Sequence, residues 1–383
     1  MNNVVIVGAG IAGLAAAQLA AEAGLAHIVL EAKSRLGGRA YTECIGGVAF
    51  DHGCEWLHSA SVNPLVPVAK AANASPYASS RGGGLHRNGE WQTASEYAMW
   101  ERAERRFDAA IQYRGHQGID EPVARVVRHD PQWAHWGTLF DAWFSMVSGI
   151  GVTQASTLDH FRYRDTGENL SVPNGLGRLI QTWAGDNPNV YYERRVNAID
   201  FSQSPIVVTA GEATYRARYV IVTVSTGVLA ADAIAFYPSL PSRLREAITQ
   251  LPMGHATKGC FIFRGHLTDP YHPVTFFLEV ARAIVSCRCV ATPAGHTIVK
   301  IYAGGDLSRQ WEALPDGERV NRVLTMLCSV FGRSLRARLI DAVVTAWGAD
   351  RDIRGAYSAA APGHADARRV LGRSVNEYLH FAG

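Results

Sequence analysis

Residues 4–39 contain the pattern that most restricts the fold of this chain: an apolar strand, a glycine turn, a helix and a second strand ending in an acid. Residues 4–7 form an unbroken apolar run, which is typical of a strand buried on both faces of a parallel sheet. The turn that follows reads G-x-G-x-x-G, and its glycines are Gly8, Gly10 and Gly13. They predict a tight turn, a close backbone approach to a pyrophosphate, and close packing of a helix over about residues 11–23. The pattern therefore predicts an α/β fold that binds a dinucleotide at the helix N-terminus.

Glu31 follows Gly10 by 21 residues and stands at the predicted end of the second strand. A carboxylate at that position accepts hydrogen bonds from a ribose diol. Because it would repel a phosphate on the same ribose, NADP is not expected.

The length of 383 residues allows two domains of ordinary size. Hydrophobic residues make up 48% of the chain and charged residues 19%, which supports a large core. The net charge of +3 is too small to indicate a nucleic-acid partner, and no basic run is interleaved with aromatic residues. Outside the N-terminal stretch no apolar segment reaches about 18 residues, so no membrane-spanning helix is expected.

The six cysteines form neither a C-x-x-C pair nor a metal-ligand pattern with histidine. They predict reduced thiols in a cytoplasmic protein without a metal site.

The rest of the chain divides into a helical part and two groups of strands. Helical spacing over residues 95–112 and 138–150 predicts an excursion away from the nucleotide unit. Strands return from residue 189 as a small meander that ends in a buried strand.

Gly53, set among bulky residues, predicts a backbone that approaches another group closely. The remaining predictions are strands at 259–263, 274–278 and 297–302, helices at 317–331 and near Ser334, and a flexible boundary at 79–84.

Several motifs, in order along nearly the whole chain, resemble landmarks of the flavin-dependent amine oxidases, a family that includes monoamine, polyamine and L-amino-acid oxidases. The W-L-H of residues 56–58, followed by N-P, is most similar to the polyamine-oxidase branch. The motifs are EAKSRLGGRAYT, DHGCEWLHSASVNPL, SVPNGLGRLI, YVIVTVSTGVL, LPMGHATKGCFIF, AWGADRDIRGAYSAAAPG and EYLHFAG.

The resemblance implies an α/β fold with a Rossmann-like FAD-binding domain of the GR2 type, similar to p-hydroxybenzoate hydroxylase. An α+β substrate domain built on a mixed sheet would be interleaved with it. The expected FAD-binding domain comprises residues 1–75, 186–240 and 341–383, and the expected substrate domain comprises residues 76–185 and 241–340. In the family a glutamate and a final helix follow the last motif, whereas this sequence ends at Gly383. An incomplete second half of the flavin site is therefore expected.

The same resemblance implies a set of FAD-binding residues. The attachment is expected to be noncovalent, because Ala356 stands where the mammalian monoamine oxidases carry the cysteine that binds flavin. The set is Gly8, Gly10, Ala12, Gly13, Glu31, Ala32, Gly38, Arg39, Gly53, Cys54, Glu55, Trp56, Val196 and Trp347.

Three residues are implied to take part in the chemistry. Lys258 matches the lysine that holds a water against flavin N5; the alternative is a strand-edge lysine in solvent. Tyr357 matches one wall of the aromatic cage around the substrate nitrogen, although most aromatic residues are simply core. His58 matches a histidine that faces the substrate channel, and a purely structural polar role is an equal alternative.

The implied reaction is oxidation of a C–N bond in a small amine by hydride transfer to flavin N5. The products would be an imine, then an aldehyde or ketone, and H2O2 once O2 has reoxidised the flavin. Two alternatives stay open: an FAD-binding protein or incomplete subunit without its own turnover, and a related dehydrogenase or desaturase that uses another acceptor.

The expected partners are a small amine and O2, with neither nucleic acid nor membrane. A monomer or homodimer is expected, and a second chain that completes the FAD site is an option. The amine itself stays open, because monoamines, polyamines and amino acids differ in pocket details that no motif defines.

Overall fold

The computed structural model describes residues 2–78, 83–185, 187–267, 274–280, 283–292 and 294–383. The predicted boundary at 79–84 lies largely outside these ranges. The strands are β1 (Asn2–Val7), β2 (His27–Leu30), β3 (Thr42–Ile45), β4 (Val48–Asp51), β5 (Trp56–Leu57), β6 (Tyr77–Ala78), β7 (Leu85–Arg87), β8 (Glu90–Trp91), β9 (Leu170–Ser171), β10 (Val190–Tyr191), β11 (Val196–Asp200), β12 (Ile206–Ala210), β13 (Ala213–Val222), β14 (Ala235–Tyr237), β15 (Ala256–Phe263), β16 (Thr275–Val280), β17 (Ala283–Ala291), β18 (Thr297–Gly304), β19 (Leu339–Val344) and β20 (Leu379–Phe381).

The helices include two long ones in the predicted helical part of the chain. They are α1 (Ile11–Glu22), α2 (Leu65–Ala71), α3 (Ala94–His116), α4 (Val123–Val127), α5 (Trp133–Ser148), α6 (Thr157–Arg162), α7 (Leu176–Ala184), α8 (Thr226–Ala230), α9 (Ser242–Thr249), α10 (Gly305–Glu312), α11 (Asp316–Phe331), α12 (Leu335–Arg338) and α13 (Ala367–Leu371). None of the helices in the described ranges is both long and apolar enough to cross a membrane.

The first sheet is the nucleotide-type sheet that the N-terminal pattern predicts. Its order is β10-β2-β1-β13-β12-β11-β14, with β20 also paired to β13. Strand β1 lies between β2 and β13 and is parallel to both. All four residues of β2 are buried, as expected of a parallel strand with both faces covered. The predicted meander is present as the antiparallel set β11, β12 and β13.

The second sheet is larger than the sequence indicates. Its order is β19-β15-β18-β17-β16-β7-β8, mostly antiparallel, with a single parallel pairing of β16 and β7. Strand β17 is absent from our predictions, although Ser286 and Arg288 alternate there with buried apolar residues, which is the period of a strand. Strand β15 is buried along its entire length between β18 and β19.

Both long helices in the predicted helical part are found, with different limits from those predicted. Helix α3 extends from Ala94 to His116 because Thr93 and Glu96 form a capping box at its start. Helix α5 begins five residues before the predicted start and ends at Gly149, which adopts a left-handed conformation with φ of 75°. Two small sheets, β3-β4 and β5-β9-β6, accompany the two large ones. This mixed α/β architecture confirms the predicted fold class. The exact domain limits stay a prediction, and the limit at residue 341 falls inside β19.

Candidate active site

One cavity of about 810 Å³ runs from the first glycine turn to the face of the second sheet. Its walls come from β1, α1, β2 and α8 on one side and from β15 and β18 on the other. Nearly all of the predicted site residues line it, so the structure brings together positions that are far apart in the sequence. Those lining residues are Gly8, Gly10, Ala12, Glu31, Ala32, Gly38, Arg39, Gly53, Cys54, Glu55, Trp56, His58, Val196, Lys258, Trp347 and Tyr357.

Gly13 is the one predicted site residue that does not line the cavity. A Cβ atom at Gly13 would lie 1.9 Å from the carbonyl oxygen of Gly8. The absent side chain thus lets α1 pack directly on the turn, which is the packing role predicted for the third glycine. Gly8 itself has φ of 102°, a conformation that side chains strongly disfavour.

Glu31 is buried and already accepts two backbone hydrogen bonds. The N–H of Ala9 donates to its Oε2 at 2.7 Å and the N–H of Lys33 to its Oε1 at 2.9 Å. Burial raises the pKa of this carboxyl, and the two backbone donors oppose the rise. Each oxygen retains a lone pair toward the cavity, which fits the recognition of two ribose hydroxyls.

The second glycine motif packs against the first. The N–H of Gly37 donates to the carbonyl of Ala9 at 2.8 Å, and a Cβ at Gly38 would lie 3.2 Å from the Cα of Gly10. Arg39 then projects into the cavity, where burial lowers the pKa of its guanidinium. Its Nη1 donates to the carbonyl of Ala356. A guanidinium that is accessible from the cavity beside a turn rich in N–H groups fits an anionic pyrophosphate.

The segment that follows Arg39 returns along the cavity wall, as the glycine at position 53 predicts. A Cβ at Gly53 would lie 1.8 Å from the carbonyl oxygen of Arg39, so only glycine fits. Burial raises the pKa of the neighbouring Cys54 to about 11, which keeps this thiol protonated. Trp347 closes the same wall and donates from Nε1 to the carbonyl of His52 at 2.9 Å.

Lys258 is not a strand-edge lysine in solvent, since it lies in β15 and is only 5% exposed. Its Nζ donates to Glu55 Oε2 at 2.5 Å and to the carbonyl of Gly53 at 3.2 Å. The same ammonium lies 5.6 Å from the ring centroid of Trp56. The alternative of a strand-edge lysine in solvent is therefore wrong, and the role of Lys258 in the chemistry stays a prediction. The structure shows this lysine as one half of a buried ion pair.

Glu55 faces a second lysine as well. Lys300 Nζ lies 4.0 Å from its Oε1 and donates to the carbonyl of Ala49 at 3.1 Å. Burial raises the pKa of Glu55, but Lys258, Lys300 and Arg288 outweigh burial and hold that pKa below its usual value. Glu55 is thus an ionised carboxylate at the cavity wall, with Lys258 bound to its Oε2 and Lys300 at 4.0 Å from its Oε1.

Tyr357 lies at the end of the cavity and is joined there by Tyr302 of β18, which sequence reasoning missed. Both hydroxyls donate to the carbonyl of Met146 at 2.8 Å and lie 2.9 Å from each other. Met146 belongs to the last turn of α5, where carbonyls lack helical partners. Burial raises the pKa of Tyr302 to about 12 and holds the pKa of Tyr357 well above its usual value, so both stay neutral.

Tyr302 could have been found from the sequence only through its strand register. It pairs directly with Lys258 across β15 and β18, and its ring stands edge-on to Trp56 at 6.4 Å. Its only local signal is an aromatic residue near the end of a predicted strand, which is common in any core.

His58 lines the cavity, and its part in the chemistry stays a prediction. Its Nδ1 lies 2.7 Å from Asn169 Oδ1, and its carbonyl accepts from Asn63 Nδ2 at 2.8 Å. Because an amide oxygen only accepts, Nδ1 carries a proton in this contact. Within the described residues, no group of three or more histidine, cysteine, aspartate or glutamate side chains is arranged to hold a metal ion.

Comparison with known proteins gives a family and a fold. A family model described as flavin containing amine oxidoreductase matches residues 11–383. The chain is 30% identical to Protein FLOWERING LOCUS D of Arabidopsis thaliana and 29% identical to Lysine-specific histone demethylase 1 homolog 3 of Oryza sativa subsp. japonica. These alignments cover 100% of this chain but only 52% and 51% of those proteins, so the chain spans about half of their length.

Two further proteins are similar to this chain over most of their own length. Polyamine oxidase 4 of Oryza sativa subsp. japonica is 26% identical over 100% of this chain and 83% of its own length. A solved structure of a putrescine oxidase redesigned in its cofactor binding superposes with a TM-score of 0.77 at 19% identity. That superposition covers 100% of this chain and 93% of the other, and it establishes the fold.

Proposed function

The chain belongs to the flavin containing amine oxidoreductases, and on that premise we propose that it oxidises the C–N bond of an amine. Membership of this family confirms the predicted enzyme class and the flavin cofactor, FAD held without a covalent bond. The observation that carries the proposal is the continuous cavity that joins the dinucleotide turn to Lys258 and the two tyrosines.

FAD, when bound, would accept a hydride from the carbon bearing nitrogen and pass two electrons to O2, which yields H2O2. The residues of this chain would bind and orient. Glu31 would accept the ribose hydroxyls, and Arg39 with the first turn would hold the pyrophosphate. Tyr357 would place a π face beside the amine nitrogen, and Tyr302 with it would exclude water. Lys258 would supply positive charge where electrons arrive, partly offset by Glu55.

The amine must reach the site neutral, because a protonated nitrogen has no lone pair to stabilise the electron-poor carbon. Loss of the hydride converts the amine to an iminium ion, which gives up a proton to water to become an imine. Water then hydrolyses the imine to an aldehyde or ketone and releases ammonia or an amine. No strong base is required of the protein, so its part is positioning and desolvation.

The test uses the purified chain loaded with FAD. Anaerobic addition of an amine is expected to bleach the flavin absorbance, and admission of O2 is expected to restore it with release of H2O2. Bleaching without O2-dependent recovery, but with recovery on addition of a quinone, would identify a dehydrogenase instead. A flavin that no amine bleaches would favour a binding protein or a subunit that needs a second chain.

A second candidate is demethylation of a methylated lysine side chain, which is also the oxidation of a C–N bond. The relatives named as histone demethylase homologs, aligned along this entire chain, favour it. A peptide with a methylated lysine belongs in the same anaerobic experiment, with formaldehyde as the product to be measured.

A further inference from the structure

The charges that line the cavity restrict the amines that it can accept. Seven lining side chains are basic and three are acidic. The basic ones gather mainly at the nucleotide end, where FAD brings its pyrophosphate. A substrate with a second ammonium group needs a carboxylate to pair with that group in the cavity. Whether the cavity can bind such a substrate therefore depends on the three acidic side chains.

Each of the three lining acids is already engaged. Glu31 lies at the nucleotide end and accepts the N–H groups of Ala9 and Lys33. Asp352 pairs with Arg195 at 2.7 Å and lies 3.9 Å from Lys33. Glu55, the one acid at the tyrosine end, pairs with Lys258 at 2.5 Å. Among the described lining residues, every carboxylate thus already has a cation or backbone donors, and a second substrate ammonium would have to compete with them.

The tyrosine end offers aromatic surface in place of charge. Tyr302 and Tyr357 both direct their hydroxyls to the carbonyl of Met146, so those hydroxyls are occupied by the protein. The Tyr302 ring stands edge-on to Trp56 at 6.4 Å. At the rim, Asp165 lies outside the lining and accepts from the hydroxyl of Ser59 and the N–H of Gly167.

We propose that the substrate is a monoamine with an uncharged apolar or aromatic tail, and that Tyr302 is a specificity-determining residue that contacts this tail. Polyamines and lysine-rich peptides are then poor substrates, although relatives bear names of polyamine oxidases and histone demethylases. The inference rests on the proposed amine oxidation and specifies its substrate class.

The direct test compares two probes that differ only in the distal nitrogen, n-butylamine and putrescine, in anaerobic reduction of the bound flavin. Benzylamine serves as an aromatic probe. The second-order rate constant for n-butylamine is expected to exceed that for putrescine by about tenfold or more, because an unpaired ammonium loses its hydration in the cavity. Equal rates, or faster reduction by putrescine, would overturn the inference. If none of the probes reduces the flavin, amine oxidation itself is contradicted. If the probes reduce the flavin without the expected preference, only the proposed substrate class is contradicted.

A variant pair tests the cause of this preference. Lys258→Met leaves Glu55 without its 2.5 Å partner, and the freed carboxylate is expected to raise the rate of putrescine relative to n-butylamine. The ratio of the putrescine rate to the n-butylamine rate is compared within each variant. An effect of Lys258 on the flavin that changes both rates equally therefore leaves this ratio unchanged. Lys300→Met is the matched control, since it removes a cation 4.0 Å from Glu55 but keeps the close pair. A ratio that Lys258→Met leaves unchanged would contradict the role given to the engaged Glu55.

A second pair tests Tyr302 itself. Tyr302→Phe keeps the ring and is expected to retain most of the rate with benzylamine, whereas Tyr302→Ala is expected to lose about tenfold or more. Tyr215→Ala, which removes a tyrosine ring from the nucleotide sheet, is the control for the loss of an aromatic side chain. If Tyr302→Ala reduces benzylamine and putrescine rates equally while binding FAD normally, Tyr302 does not determine specificity. Because the probe comparison needs no variant, the inference stays testable even where a variant fails to fold.

Discussion

At the scale of single residues, the central finding is that Lys258 and Glu55 act as a pair. The sequence motif around Lys258 predicts an ammonium in the site, and nothing in it identifies the partner. Glu55 lies in another motif, two residues after the glycine whose carbonyl also binds Lys258. The pairing depends on how the segment from β4 to β5 crosses the second sheet, so only the structure reveals it.

Replacement of Lys258 by Met is expected to slow reoxidation of the reduced flavin by O2 far more than it weakens amine binding. The ammonium lies 5.6 Å from the ring centroid of Trp56 at the cavity wall, and its loss would remove positive charge where O2 receives electrons. Stopped-flow reoxidation of photoreduced enzyme measures this step alone. Lys300→Met, which leaves Lys258 in place, is expected to retain the wild-type rate of reoxidation. If both variants slow reoxidation equally, Lys258 has no specific role in this step.

Replacement of Glu55 by Gln is expected to destabilise the holoenzyme by about 3 kcal/mol near neutral pH, because it leaves the Lys258 ammonium buried without a charged partner. The effect has a defined pH dependence. The pKa of Glu55 is lower in the folded protein than in the unfolded chain, so its stabilisation is complete above the unfolded value of about 4.3 and is lost as the pH falls through the folded value.

Thermal unfolding of wild type and Glu55→Gln between neutral and acidic pH measures this dependence. The difference in Tm is expected to be largest near neutrality and to close below about pH 4. A difference in Tm that widens on acidification would show that Glu55 is not the ionised partner of Lys258.

At the scale of secondary-structure elements, the glycine turn determines how closely α1 packs on β1. A methyl group at Gly13 would meet the carbonyl of Gly8 at 1.9 Å, and the backbone must move to relieve this contact. Gly13→Ala is therefore expected to weaken FAD binding by at least about tenfold and to destabilise the protein by about 2 kcal/mol. Quenching of flavin fluorescence measures the affinity.

Gly317→Ala in α11 is the matched control, since a Cβ there meets nothing within 4 Å. It is expected to leave FAD affinity unchanged and to stabilise the helix by up to about 1 kcal/mol. Wild-type FAD affinity in Gly13→Ala would mean that the turn does not depend on this packing.

The sequence predicts some elements better than others. Elements formed by residues close together in the chain are predicted well, whereas contacts between residues far apart in the chain are not. The strand, turn and helix at residues 2–22 are local, and glycines at fixed offsets specify them. The register that places Lys258 opposite Tyr302 joins residues 44 positions apart and depends on the packing of the whole second sheet. Tyr302 was missed for that reason, whereas Tyr357 was predicted through its motif.

At the scale of the whole molecule, the cavity joins two sheets that are assembled from distant parts of the chain. Its nucleotide end is lined by β1, β2 and α1, and its tyrosine end by β15 and β18. Between the two, Arg195 pairs with Asp352 at 2.7 Å and Lys33 with Asp350 at 2.6 Å, so ion pairs connect the first sheet to the loop after Trp347. A ligand that fills the whole cavity therefore stabilises contacts in both halves.

FAD is accordingly expected to stabilise the folded protein strongly, and FMN is expected to do so much less. FMN lacks the adenosine half, so it cannot engage Glu31, and it brings a single phosphate to the glycine turn. At a free FAD concentration a hundredfold above its Kd, linkage gives a stabilisation of about 2.7 kcal/mol, whereas FMN at the same concentration would remain far below saturation. Thermal unfolding of the apoprotein with each flavin measures the difference, and Glu31→Gln is expected to reduce the shift with FAD without affecting that with FMN. An equal shift with both flavins would show that the adenosine half contributes nothing and that the N-terminal glycine pattern does not bind a dinucleotide in this protein.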